Sequence, residues 1–281
     1  MVLETPAAFD AAPGVPGDKA ILVYAGLGQT AASVEPADWM SRVLRGCSMP
    51  LEPSLHLLTD AVRQHLPQHL QRLDPNGKGI AHSIFVPAIV RDESQLYSIE
   101  YVITPAGQGF WRHVRHVIER AELRRPRTPR IAIGGSGAVY LARQPRRWIR
   151  PLLRLVKACD AGQIPTLSVA DHLAWLNNEV HKHDRLVGAR CIVAWRNRRH
   201  SVHNGGGGHQ FYTGEIRDQE SPALPSIVYG RDMRAFLGVI APPAFARLRA
   251  MGEGRPDPGE DYAVIEKAVN ALPNSPDEKL T

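Results

Sequence analysis

The chain predicts a layered α/β fold in which helices arrive in pairs between antiparallel strands. Three observations carry that expectation. The run Ile131-Ala132-Ile133-Gly134-Gly135-Ser136-Gly137-Ala138 reads as a short apolar strand, a glycine turn and the opening of a helix. A long helical pattern later runs into a strand from Val187 to Arg196, and an apparent hairpin occupies residues 83–104. Paired helices between antiparallel strands argue against a doubly wound parallel sheet.

The elements follow in order. Residues 1–17, rich in Ala, Pro and Gly, are expected to be a disordered N-terminal segment. Ile21 to Tyr24 is a strand closed by Gly26 and Gly28. Pro36 suits a first helical position, and that helix runs to Arg45 and stops at Gly46. A second helix starts near Pro53 and continues to Leu73, with Leu55, Leu58, Val62, Leu66, Leu70 and Leu73 spaced by three or four and a kink at Pro67. Ser83 to Arg91 and Leu96 to Thr104 form the hairpin around a turn at residues 92–95. Arg112 to Arg130 reads as a short helix and a loop, and Ile131 to Ile133 as the next strand.

Helical pattern resumes from Arg147 to Cys159. After Pro165 a helix spans Ser168 to Lys182, with Ser168 as N-cap and Asp171 as a first-turn acid. A buried strand from Val187 to Trp195, a turn at residues 197–199, a weak strand at residues 201–203 and a flexible loop at Gly205 to Gly208 follow. Arg231 to Ala250 is partly helical, and residues 251–281 are a flexible tail. The expected organisation is one domain over residues 18–250.

Composition narrows the function classes. With 281 residues and 43% hydrophobic content the chain can bury a sizeable core. No apolar run approaches the roughly 18 residues of a membrane helix, so no membrane association is expected. The first residues do not look like a signal peptide, and the three cysteines Cys47, Cys159 and Cys191 form no CxxC pair; a cytoplasmic protein fits. Net charge is +6, with arginines clustered at residues 112–130, 143–154 and 196–199. Such clusters allow a nucleic-acid surface. No recognised motif accompanies them and few aromatics intervene to stack bases, so nucleic acid is not the expected partner.

Familiar chemistry is mostly missing. Tyr140 stands where the third glycine of a dinucleotide fingerprint belongs, and no phosphate-loop motif occurs. Histidine pairs His113/His116 and His181/His183 lack the i, i+4 spacing typical of zinc sites, so neither metal nor cofactor is expected. No G-x-S-x-G elbow is present. Cys47 after Gly46 reads as filler between two helices, and Thr5, followed by Pro6, lies in a segment without strand character.

The order of elements and several local motifs resemble the proteasome β-subunit group of N-terminal-nucleophile hydrolases, over about Ile21 to Trp195. Ile21 to Ala31 (ILVYAGLGQTA) is similar to the strand and glycine turn before that fold's first helix. Leu96-Tyr97-Ser98-Ile99 resembles the strand after the first helix pair, and Gly135-Ser136-Gly137 the turn opening the second. Asp184-Arg185-Leu186-Val187-Gly188 resembles the D-x-x-S-G turn after that pair, with Val187 in the serine's place. The resemblance implies a four-layer αββα sandwich and three site residues. Gly28 would give an oxyanion-hole N–H, while Ser136 and Asp184 would support the nucleophile's amine. It further implies amide or peptide hydrolysis through an acyl intermediate, a protein or peptide substrate and a homo-oligomer. In that family the nucleophile threonine, its carboxylate and its lysine precede the strand matched here by Ile21. The twenty residues in that place show no threonine-led strand and no Asp-Ser-Arg. The alternatives are a non-catalytic scaffold on the same fold and a basic nucleic-acid-binding protein.

Overall fold

The computed structural model describes residues 1–7, 17–25, 34–73, 83–91, 93–103, 109–116, 131–196, 207–219, 226–253 and 262–276. In chain order the elements are β1 (Val2–Thr5), β2 (Asp18–Ile21), β3 (Val23–Ala25), α1 (Pro36–Leu44), α2 (Leu51–Leu73), β4 (Ser83–Val90), β5 (Glu93–Ile103), β6 (Gly109–Arg115), α3 (Ala138–Arg143), α4 (Pro145–Asp160), α5 (Thr166–His183), β7 (Arg190–Arg196), β8 (Gly207–Thr213), β9 (Ile216–Arg217), β10 (Ser226–Val228), β11 (Arg231–Asp232), α6 (Met233–Gly252) and α7 (Tyr262–Asn270). Among the described residues the protein is thus mixed α/β, with seven helices and two sheets rich in antiparallel pairs. Where the sequence reads as one domain over residues 18–250, the chain divides into two compact units. Unit 1 comprises residues 1–19, 28–73 and 223–281, and unit 2 residues 20–27 and 74–222.

Unit 1 overturns the expectation that the first 17 residues are wholly disordered. Met1, Val2 and Leu3 are buried, and β1 pairs in parallel with β10, Val2 against Ser226 and Glu4 against Val228. A four-residue strand is too short to show periodicity, yet its apolar side chains gain from burial all the same. Residues 8–16 lie outside the described set. Helix α1 begins with Pro36 in its first turn, as expected, and buries Met40, Ser41, Val43 and Leu44. Helix α2 contributes Leu55 and Leu58, both fully buried. The expected tail contains α7, so residues 262–270 are helical rather than flexible.

In unit 2, β3, β4, β5 and β6 form successive antiparallel pairs. The β4–β5 hairpin is tighter than expected: Val90 pairs with Glu93, leaving a two-residue loop in which Arg91 takes φ 49°. Such loops match strand twist when the central residues adopt positive φ. The helix expected near Arg112 is instead strand β6, which buries Trp111 and turns Arg112 and Arg115 outward. Cross-strand pairing with β5 outweighs the helix-forming tendency of arginine. Residues 117–130 lie outside the described set. Ile131 to Ile133 form no strand and are exposed, three residues being too few to hold a ladder without a partner.

Helices α4 and α5 pack together through Trp148, Leu152 and Leu176. Ala170 and Ala174 on another face of α5 meet Tyr212 of β8, with Cys191, Val193 and Trp195 of β7 alongside. The strand expected from Val187 starts later, at Arg190, and is only half buried: its alternate residue Ile192 is 50% exposed. Its partner includes Gly207 and Gly208, expected as loop; they pair with Arg196 and Trp195. Gly208 serves there because a Cβ would lie 2.6 Å from the Trp195 ring. The turn and weak strand expected at residues 197–203 lie outside the described set.

Candidate functional site

Two of the three expected site residues meet. Gly135 adopts φ 83°, a region open to glycine, and turns the chain so that Ala138 N–H donates to its carbonyl at 3.1 Å. Gly137 is buried against the end of α5, where a Cβ would lie 2.5 Å from Val180 Cγ1 and 3.2 Å from Val187 Cγ2. This close approach brings Ser136 to Asp184, and the serine hydroxyl donates to the carboxylate. The third residue, Gly28, lies outside the described set. A Cβ built on Gly135 would lie 3.9 Å from the Ala25 Cβ, an ordinary contact.

Asp184 ends α5. Its N–H donates to Val180 O at 2.8 Å, its Oδ1 accepts from Leu186 N–H at 3.0 Å, and its carbonyl accepts from Val187 N–H at 3.1 Å. The turn is held from α5 as well: Asn177 donates to Gly188 O at 3.0 Å, and His181 Nδ1 lies 2.6 Å from Val187 O. The Ser136 hydrogen bond, followed by the Leu186 N–H, keeps the Asp184 carboxyl below its ordinary range. At neutral pH the pair is therefore a carboxylate accepting from a neutral hydroxyl. His183 stacks on Tyr140 with ring centroids 4.4 Å apart, and His181 is taken up by the turn. Ser136 is oriented by this arrangement, and among the described residues no histidine or amine reaches it to act as a base.

A second serine meets a histidine: Ser98 Oγ lies 2.8 Å from His116 Nε2 and donates to Glu100 Oε1 at 2.9 Å. The Ser98 hydroxyl thus stands between the Glu100 carboxylate and the His116 ring. Ser98 is also only 1% exposed, which denies it a substrate.

Sequence reasoning missed the cluster that clasps the β8–β9 hairpin to α5. Asp171, expected as a first-turn acid, accepts from Tyr212 at 3.0 Å and from Arg217 Nε at 2.8 Å, and a second Arg217 nitrogen completes a forked ion pair. Arg217 holds the Asp171 carboxyl below its usual range, while burial pushes the Tyr212 phenol up to about 12. No local signal joins residues 46 positions apart. Ser168 is likewise not the cap of α5: Pro165 holds that place and accepts from Ser168 N–H at 3.0 Å.

Comparison with known proteins adds no relative: no family model, no curated protein and no solved structure matches the chain. The two other nucleophile candidates are disfavoured by their surroundings. Cys47 is buried and its thiol is pushed up by desolvation, so it is a poor nucleophile. Thr5 closes β1 at 2% exposure, and cleavage before it would remove most of the strand paired with β10. The segment expected to lack strand character is therefore a buried strand.

Proposed function

We propose that this chain is a proteasome-subunit-like protein of the N-terminal-nucleophile hydrolase fold, a four-layer αββα sandwich with Ser136 and Asp184 as supporting groups. The observation that carries the reading is their hydrogen bond: two motifs 48 positions apart, each assigned to the same site by resemblance, meet where Gly137 packs closely against Val180 and Val187. The element order agrees, with α1–α2 and α3–α5 separated by the β4–β6 strands and followed by β7–β9. In this role the Asp184 carboxylate and Ser136 hydroxyl position the amine of an N-terminal Thr, Ser or Cys, which attacks an amide and forms an acyl intermediate. The substrate is a protein or peptide, and the assembly is a homo-oligomer.

A non-catalytic scaffold on the same fold is the second reading. It draws on the burial of Thr5 and Cys47. Intact mass and N-terminal sequencing of the protein isolated from its native locus separates the two. A mature chain beginning with Thr, Ser or Cys supports hydrolysis. A chain beginning at Met1 or Val2 rejects hydrolysis and leaves the scaffold.

A further inference from the structure

Helix α4 carries a cationic stripe in which Arg147 alone has a side-chain partner among the described residues. At about 100° per residue, Arg146, Arg147, Arg150, Arg154 and Lys157 fall within an arc of about 100° and extend over about 16 Å. All five are exposed, opposite the face that buries Trp148 and Leu152. Arg147 reaches Gln144 at 3.4 Å and Glu179 at 3.7 Å. The side chains of the other four make no hydrogen bond or ion pair with any described residue. Cations spaced by three or four residues repel one another, and the first two stand in the helix's first turn, where the backbone dipole disfavours positive charge. Solubility does not require such an arrangement. Local rules broken without internal compensation point to an outside partner.

We infer that this face of α4 binds the phosphate backbone of a duplex nucleic acid. Three features select that partner. Four of the five cations are arginines, whose planar fork grips phosphate oxygens in pairs. The stripe spans several phosphates of one strand, at about 3.4 Å of axial rise each. No apolar side chain is exposed within it to anchor a protein partner, and no aromatic to stack an unpaired base. The sequence disfavours nucleic acid because no recognised motif and few aromatics accompany the arginines, but a duplex backbone needs no stacking aromatics. This inference stands apart from the hydrolase reading and survives its failure.

The test is fluorescence anisotropy of labelled duplex DNA and duplex RNA titrated with the full chain, between about 50 and 200 mM salt. The wild type should bind with a negative log–log salt slope. Arg150→Gln with Arg154→Gln should make the slope shallower by about 2, one per lost phosphate contact. The pair Arg42→Gln and Arg231→Gln, exposed arginines off α4, should leave it unchanged. The α4 variant should be at least as stable as the wild type, since a repulsion is relieved. Three results would each overturn the inference: equal slopes for wild type and α4 variant, an equal loss in the control pair, or displacement of the duplex by poly-glutamate at matched charge. Preference for DNA or for RNA identifies which duplex is the partner, and binding of either supports the inference.

Discussion

Replacing Gly137 by Ala tests the packing that brings Ser136 to Asp184. Gly137 has φ −65°, so the new residue meets no backbone strain; its cost is steric. The Cβ would lie 2.5 Å from Val180 Cγ1 but 3.8 Å from Val180 Cβ, an ordinary contact. Overpacking of this kind costs about 1–3 kcal/mol, and we take about 2. Val180→Ala alone removes two buried methyl groups at about 0.8 kcal/mol each, also about 2 once the cavity is included. Additive effects would sum to about 4 kcal/mol. Because Val180→Ala deletes the closest clashing atom and leaves only the 3.2 Å contact with Val187 Cγ2, the double variant should lose little more than about 2, a coupling approaching about 2 kcal/mol. Urea unfolding followed by tryptophan fluorescence reads this out, since four of the five tryptophans, Trp111, Trp148, Trp175 and Trp195, lie in unit 2. With a slope of about 2 kcal/mol per molar, each single variant should lower the midpoint by about 1 M. Additivity within about 0.5 kcal/mol would refute the close approach and, with it, the geometry of the Ser136–Asp184 pair.

Other perturbations follow from the same contacts. Ser136→Ala should raise the Asp184 carboxyl toward its ordinary range while the Leu186 N–H holds it partly down, as followed by carboxyl-carbon NMR through an acid titration. Asp171 is depressed when folded, so its stabilisation is full above the ordinary carboxylate range and fades as pH falls through the lower folded value. Asp171→Asn should therefore lower the thermal midpoint near neutrality and narrow the gap to wild type in acid, seen by melting at stepped pH. Gly208→Ala should destabilise unit 2 by about 1–3 kcal/mol through its clash with the Trp195 ring, and urea titration would expose any failure of that expectation.

Much of the fold is legible in the sequence where apolar spacing and turn residues act locally. Helix α1 is marked by Pro36, α2 by its leucine spacing, and the β4–β5 hairpin by two runs of β-formers. What escapes reading depends on partners far along the chain. β1 is a strand because Ser226 to Val228 lie beside it, and Gly207 and Gly208 are strand residues because Trp195 lies opposite. β6 looks helical until its pairing with β5 decides the matter. At the candidate site, Ser136 and Asp184 were singled out through the resemblance of the turns that contain them. Asp171, Tyr212 and Arg217 were not, because each has an unremarkable local setting and only the hairpin's return to α5 joins them.

The parallel pairing of β1 with β10 sets an order of events during synthesis. The partner of Val2, Ser226, is translated about 220 residues after it. At about 5–20 residues per second the first strand waits for roughly ten to forty-five seconds. Unit 2, almost all of it drawn from residues 74–222, is complete before that partner emerges, whereas unit 1 needs both ends of the chain. Until Ser226 to Val228 are made, the edge of β1 that pairs with β10 has no strand beside it, and an unpaired edge of this kind is open to other strands.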